Sequence, residues 1–286
     1  MKKIKRKTLL YKSEVEYADY CINHVEGCSH GCKYPCYAMM LKKRCGVIKD
    51  YDDWICPKLV SNALELLDKE IPRLKGKINV VHLCFTTDPF MYKQKEVKEL
   101  TLKIIEKLNR NNIKCTVLTK GLLPKELLDT EKYGENNEYG ITLVSLSEKF
   151  KKEYEPGAAP FKKRIESLKA LSDHDLKTWV SMEPYPTINI VKQDLNKILD
   201  KIYFIDSLIF GKLNYNVKVS NFQKQDKEFY DKCADNVIDF CQLRGIGYHI
   251  KYGTKKFDNV KTSKIFIENS NNSILFLKKD IIARRA

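Results

Sequence analysis

Gly27-Cys28-Ser29-His30-Gly31-Cys32-Lys33-Tyr34-Pro35-Cys36-Tyr37-Ala38 is the stretch on which the reading of this chain turns. Three thiols fall within nine residues and can converge on one metal centre. Three cysteines can hold three irons of a [4Fe–4S] cube, leaving the fourth iron without a protein ligand. Such an open position can bind a substrate or cofactor, as at catalytic zinc. Gly27 and Gly31 let the backbone wrap closely, and Pro35 fixes a bend. The other reading of the same residues is a zinc site with His24 or His30 as fourth ligand. Zinc motifs usually pair two such halves at a distance, and no second half is evident. Spacing alone leaves both open. Cys45 and Cys56 follow in no metal-binding pattern and are read as structural.

Outward from this loop, β-rich runs alternate with amphipathic ones. Strands are expected over 17–25, 77–85, 113–119, 139–146, 176–182, 203–210 and 247–251. Helices are expected over 61–74 with Ser61 as N-cap, 97–109, 124–130, 161–171, 191–199 and 226–243. Repeated β–α units argue for a parallel sheet. The fold class expected is α/β, a partial (β/α)6-type parallel barrel, with doubly wound order as the alternative. One core domain, 1–256, would be followed by a C-terminal extension, 257–286, with a turn at Asn269–Asn272. In a parallel barrel the chemistry sits where strands end. Polar residues fall at those places: Asp88, Lys120, Ser145 and Ser147, Glu183, Lys212 and Asn214.

Composition sets the bounds. At 286 residues and 43% hydrophobic, the chain can bury a sizeable core. No apolar run reaches the roughly 18 residues of a membrane span. Met1–Leu10 is basic but is followed by no apolar signal region, so a cytoplasmic location is expected. There thiols stay reduced, and clustered cysteines serve metals or catalysis. Eight of the ten cysteines lie in the first 115 residues; Cys233 and Cys241 fall in a helical pattern and read as core thiols. The net charge of +15 suits a polyanionic partner such as nucleic acid, and equally suits lysines spread over helix faces.

The cysteine loop resembles that of the radical S-adenosylmethionine (SAM) superfamily, and within it the spore photoproduct lyase-like branch, which reads Gly-Cys-x-His-x-Cys-x-Tyr-Cys-Tyr-Ala. Three further segments are similar in the same order. They are Phe85-Thr86-Thr87-Asp88-Pro89-Phe90, then Thr119-Lys120, then Glu155-Pro156-Gly157-Ala158-Ala159-Pro160 with Arg164 and Leu168. Together they cover about residues 17 to 215. The spacing departs at one point: the chain has three residues between Cys32 and Cys36, with Pro35 extra, where the branch has two.

The resemblance implies a [4Fe–4S] cluster on Cys28, Cys32 and Cys36 whose open iron binds the amino and carboxylate groups of SAM. Reductive cleavage then yields a 5′-deoxyadenosyl radical that abstracts hydrogen from substrate. It implies an electron donor of flavodoxin or ferredoxin type, and it allows nucleic acid as substrate. Cofactor contacts are expected from Thr87, Asp88, Lys120, Ser145 and Arg164, with Lys120 or Arg164 facing the SAM carboxylate and Thr87 and Ser145 the ribose. Glu183 stands either for a contact with SAM or substrate or for a helix cap, and Tyr37 either for a radical relay or for packing under the cluster. The lyase members carry a hydrogen-donating cysteine where this chain has Phe85. Cys84 precedes it and should sit buried in the strand, facing away from Phe85. The resemblance therefore reaches the branch and not the lyase itself.

Overall fold

The computed structural model describes residues 1–13 and 18–255. The expected extension, 257–286, lies outside the described residues, as does the start of the first expected strand at Tyr17. The elements run in this order: β1 (Lys2–Ile4), β2 (Leu10–Lys12), β3 (Tyr20–Ile22), β4 (Val25–Glu26), α1 (Tyr37–Arg44), α2 (Tyr51–Ile55), β5 (Lys58–Val60), α3 (Ala63–Arg73), β6 (Val80–Leu83), α4 (Lys95–Arg110), β7 (Lys114–Thr119), a 3₁₀ turn (Lys125–Leu128), α5 (Thr130–Tyr133), β8 (Glu138–Thr142), α6 (Glu148–Tyr154), α7 (Phe161–Ser172), β9 (Lys177–Tyr185), α8 (Leu195–Leu199), β10 (Ser207–Lys212), α9 (Val217–Gln225), α10 (Phe229–Arg244) and β11 (Gly247–Ile250).

One sheet carries the order β11-β10-β9-β8-β7-β6-β3-β2. The seven strands from β3 to β11 are parallel, and β2 pairs antiparallel at the edge. Each new parallel strand adds to the same side of the last. A doubly wound sheet reverses direction at a switch point; this one never does among the described strands, so the partial barrel is the architecture and the doubly wound alternative falls. Each of the seven strands expected from the sequence has its counterpart among these seven parallel strands, one more than the six of a (β/α)6 type.

Strand alternation sorts the side chains into two walls. Val81, Leu83, Val117, Ile141, Val180, Met182, Leu208 and Phe210 point one way into the main core, which they share with Leu102 and Ile105 of α4, Leu168 and Leu171 of α7, and Val237 and Phe240 of α10. The helices supply these residues at three- and four-residue spacing, as an amphipathic helix does. Gly245, at φ +66°, closes α10 and lets the Ile246 N–H reach Cys241 O at 2.9 Å. The opposite wall is polar: His82, Thr116, Glu138, Thr142, Ser181 and Glu183, with Gly140 and Gly211 between them. Trp179 and Ile209, buried on that wall, lie outside the main core. This is the inside of the barrel.

Glu138 opens that wall at the N-terminal end of β8. Burial lifts its carboxyl to about 7, against the pull of Lys177 and Lys114. An acid whose folded pKa lies above its unfolded one stabilises below the unfolded value, and loses that contribution as pH rises through the folded one. Wild-type stability is therefore expected to fall between pH 4.5 and 7 through this group. Glu138→Gln should remove about 2 kcal/mol of that fall, measured as urea midpoints at pH 5 and pH 8; parallel pH profiles for the two proteins would refute it.

Several boundaries differ from expectation, for local reasons. The first strand is two short ones, because β3 joins the large sheet while β4 joins a small sheet of order β1-β5-β4. Ser61 does not cap α3: its hydroxyl donates to Ile4 O, and Asn62 takes the N-cap place while bonding to the backbone of Arg6. Cys84 is buried but lies just past the end of β6, with φ +61°. The eighth strand stops at Thr142, and 143–147 lead into α6 as a loop.

Candidate metal centre

The cysteine loop opens a 31-residue excursion, 27–57, whose two ends are tied together by β4 and β5 (Val25↔Leu59, Glu26↔Lys58). Glu26 binds Arg6 at 3.3 Å and Lys58 at 3.4 Å, and Cys28 N donates to Trp54 O at 2.8 Å. Gly27 turns the chain into the loop at φ +83°, with the Trp54 carbonyl where a Cβ would need to be. Gly31 has φ +56°, and its carbonyl accepts from the Tyr51 hydroxyl of α2 at 2.8 Å.

Two buried carboxylates fasten this excursion to the strand ends. Asp88, after β6, accepts from Phe90 N (2.9 Å), the Thr119 hydroxyl (2.6 Å) and Lys120 N (2.8 Å), and faces His30 Nδ1 at 3.3 Å. His30 Nε2 in turn accepts from Tyr92 N at 2.9 Å. Burial alone would raise the pKa of Asp88; His30 and the hydrogen bonds from Thr119 and Lys120 outweigh it and hold the group below its usual value. Glu155, after α6, is 2% exposed; it accepts from the Tyr34 hydroxyl at 3.0 Å and from Arg164 Nη2 at 2.8 Å. Its burial is likewise outweighed, first by the Arg164 charge and then by Lys120, so it stays ionised at neutral pH. Backbone bonds complete the clamp: Gly157 N to His30 O (2.9 Å), Lys33 N to Tyr154 O (2.8 Å) and Ala159 N to Lys120 O (2.9 Å).

Held this way, two of the three thiols, Cys28 and Cys32, are shifted in the same direction. Burial pushes Cys32 up to about 12, with Glu155 and Cys36 adding to it and Lys120 opposing. Burial also raises Cys28 well above the usual thiol value, followed by Asp88, Cys32 and Cys36. Thiols so placed become thiolates when a cationic centre takes the place of their protons. Soft thiolates suit an iron–sulfur cluster or zinc. The two histidines of the zinc reading are already committed. His30 bridges Asp88 and Tyr92, and His24 lies buried between Thr101 (2.7 Å) and Cys84 (3.5 Å). Among the described residues, no three His, Cys, Asp or Glu side chains surround a point suited to a single ion. By donor chemistry, three thiols with both nearby histidines engaged elsewhere suit an iron–sulfur cluster better than a single zinc ion.

The sequence matches the family model of the radical SAM superfamily over residues 22–202. The chain belongs to the radical SAM superfamily. Members of that superfamily generally use a [4Fe–4S] cluster, SAM and an electron donor. An uncharacterized protein of Methanocaldococcus jannaschii is 29% identical over 182 residues, covering 64% of this chain and 66% of that protein. An uncharacterized protein of Acidianus two-tailed virus is 27% identical over 188 residues, covering 64% and 61%. The matches span just under two thirds of the length of these relatives. A structure of spore photoproduct lyase with bound AdoMet and dinucleoside spore photoproduct superposes with a TM-score of 0.63 at 14% identity, covering 87% of this chain and 81% of that one. That likeness is one of fold. Among the described residues, no helix is long and apolar enough to cross a membrane.

The contacts expected for SAM separate into two groups. Lys120 stands beside the loop: its ammonium lies 5.8 Å from the Tyr34 ring centroid and 3.9 Å from Glu155 Oε1. Thr87 is half-buried with its hydroxyl on Val25 O at 3.3 Å, and the Ser145 hydroxyl accepts from Ser147 N at 3.1 Å. Arg164 departs from expectation. It is 2% exposed and gives Nε to Ala159 O, Nη1 to Thr142 O and Nη2 to Glu155, so it braces the clamp and is withdrawn as a carboxylate ligand. Asp88, with its oxygens on Phe90, Thr119, Lys120 and His30, acts in the same way. Tyr37 is 55% exposed and does not pack under the loop.

Sequence reasoning passed over Tyr34 and Gly157 as clamp residues. The signal was present in the Glu-Pro-Gly run, because Gly157 approaches the loop where no side chain fits. A Cβ there would collide with Ser29 O and stand 2.9 Å from His30 Cα. Gly157→Ala is expected to push the loop away at a cost of about 1–3 kcal/mol. It should lower the iron retained after reconstitution to less than half. Iron analysis after desalting checks this, and wild-type iron content in the variant would contradict it.

Proposed function

We propose that Cys28, Cys32 and Cys36 each ligate one iron of a [4Fe–4S] cluster, and that its open iron takes the amino and carboxylate groups of SAM. When bound, this pair supplies a 5′-deoxyadenosyl radical, released as an electron splits the sulfonium, which abstracts hydrogen from substrate. Asp88 keeps the cysteine loop seated through His30. Lys120, turned toward Cys32 between Tyr34 and Glu155, offers its ammonium to the SAM carboxylate. Thr87 and Ser145 offer hydroxyls to the ribose. Tyr34, buried at 4% exposure, and the loop around it limit the access of water.

The observation that carries this reading is the double clamp, Asp88–His30 and Glu155–Tyr34, which fastens the cysteine loop at the C-terminal ends of parallel strands. The electron donor is of flavodoxin or ferredoxin type, in a cytoplasmic, reducing setting. The net charge of +15 favours a polyanionic substrate such as nucleic acid. The test is anaerobic reconstitution, iron and sulfide analysis, and assay of 5′-deoxyadenosine with dithionite and SAM. Near four irons per chain and SAM-dependent product are expected; zinc without iron, or a fully loaded cluster without SAM cleavage, would overturn the proposal.

A further inference from the structure

The third cysteine of the loop is the N-cap of α1, and that helix buries none of its residues. A surface helix ordinarily turns an apolar stripe into the core. In α1, Tyr37 is 55% exposed and Met40 40%, and Val47 just beyond the helix is exposed as well. Its last turn is Lys42-Lys43-Arg44. From Gly27 to Lys49 the chain carries Lys33 and Lys49 besides these three, and not one Asp or Glu. Among the described residues, none of Lys33, Lys42, Lys43 and Arg44 stands in an ion pair. Of the acids that follow, Asp50 caps α2 by accepting from Asp53 N at 2.9 Å, and Asp53 pairs with Lys58 at 3.2 Å. Beside α1 lies a groove of about 440 Å³, lined by Cys32, Lys33, Tyr34, Pro35, Met39 and Tyr51. Each of these belongs to the excursion 27–57, so the groove reaches Cys32 by a route that uses no strand-end residue.

We infer that α1 and this groove form the docking surface for the protein that reduces the cluster, a small acidic one-electron carrier. The inference rests on the proposed cluster and adds the place where its electron arrives. One electron leaves the carrier's reduced cofactor and one enters the cluster; no bond or proton changes hands. Such transfer needs close approach. Cys36 at the N-cap and Cys32 in the groove put two of the three proposed ligands at this patch. Cations outside any ion pair, set around exposed apolar side chains, suit a partner with a carboxylate-rich rim. The charges steer the encounter, and Tyr37 and Met40 supply the aromatic and thioether contact that interface centres favour. α1 spans about 12 Å, so its basic turn and the groove fall within one small protein's footprint. Electron-transfer encounters are small and transient, and one exposed helix is enough for them. Substrate gathered at the strand ends keeps its own approach.

The experiment uses the full chain before and after reconstitution, with dye-labelled flavodoxin, a small acidic flavoprotein, as probe and fluorescence anisotropy as readout. Flavodoxin is expected to bind at low salt with a Kd on the order of 10 μM, weakening about fivefold toward roughly 0.3 M salt. The charge reversal Lys42→Glu with Lys43→Glu and Arg44→Glu should weaken binding about tenfold and flatten its salt dependence. The neutral version, with Gln at the same three positions, should lie between, and Met40→Gln should weaken binding about threefold at every salt concentration. In the loaded protein the charge reversal should slow cluster reduction by reduced flavodoxin about tenfold. Iron content, and reduction by photoreduced 5-deazariboflavin, which is small and uncharged, should stay at wild-type values. Flavodoxin that ignores the wild type, or that binds every variant alike, overturns the inference. So does equal slowing with both reductants, or a loss confined to the binding of a single-stranded oligonucleotide, which would make the patch a nucleic-acid contact. A chain that binds flavodoxin in the expected pattern yet loads no iron would sink the cluster proposal itself. A loaded cluster that cleaves SAM with the deazaflavin, but takes electrons from flavodoxin equally in all variants, would refute the docking surface alone.

Discussion

Cys36→Ala should reduce bound iron after anaerobic reconstitution from about four per chain to below one, with sulfide falling in step and 5′-deoxyadenosine formation lost. The thiol stands at the N-cap of α1 and makes no capping bond there; α1 has no buried residue, so the core does not depend on it. Far-UV circular dichroism and the unfolding midpoint should shift little, because exchanging a half-buried thiol for a methyl removes little packed surface. Cys45→Ala and Cys56→Ala are the controls. Both thiols are exposed, and both variants should keep wild-type iron. Full iron in Cys36→Ala, or loss of iron in a control, would reassign the ligands.

The long strands and helices were legible because their apolar residues repeat. α4 buries Val97, Leu102, Ile104, Ile105 and Leu108, and β7 to β10 alternate between an apolar and a polar wall. The cysteine loop was legible because its chemistry is local. What stayed hidden lacks a period. β4 is two residues long and β5 three, so neither shows alternation, yet their pairing turns residues 27–57 into a closed excursion. α1 and α2 have one buried residue between them, Trp54, which leaves no apolar stripe to read.

The roles of Arg164 and Asp88 were hidden for a different reason. A charged residue at a strand end or on a helix reads as ligand-facing when its partner is unknown. Glu155 stands nine residues before Arg164 and outside its helix, so helical spacing cannot reveal the pair. The C-terminal direction of the strands pointed to the end that carries the cysteine loop and Asp88, because that follows from topology alone. Which polar residue there faces a ligand and which faces another protein group depends on distances that only three-dimensional packing supplies.

Arg164→Met is the second change expected to act strongly, on stability. Removing the guanidinium leaves the Glu155 carboxylate at 2% exposure with, among the described residues, the Tyr34 hydroxyl at 3.0 Å and the Lys120 ammonium at 3.9 Å to compensate it. It also strips two backbone carbonyls, Ala159 and Thr142, of their donor. Breaking a buried pair from one side costs about 3–5 kcal/mol, and urea unfolding at pH 7 should show a loss of that size. The pH dependence gives the sign. In the wild type Glu155 is held below its usual value, burial being outweighed by Arg164 and Lys120. Its contribution is present above the unfolded carboxyl pKa of about 4.3 and is lost as pH falls through the folded one. Without Arg164 that depression is relieved, and protonation relaxes a buried, poorly compensated charge, so the deficit of the variant should shrink between pH 7 and pH 4. The double variant, Arg164→Met with Glu155→Leu, removes both charges and should recover much of the stability. It should still load iron poorly, because Tyr34 loses the carboxylate that fixes it beside Cys32. A single variant as stable as wild type, or a double variant no better than the single, would show that Glu155 and Arg164 are not the brace that seats the cysteine loop.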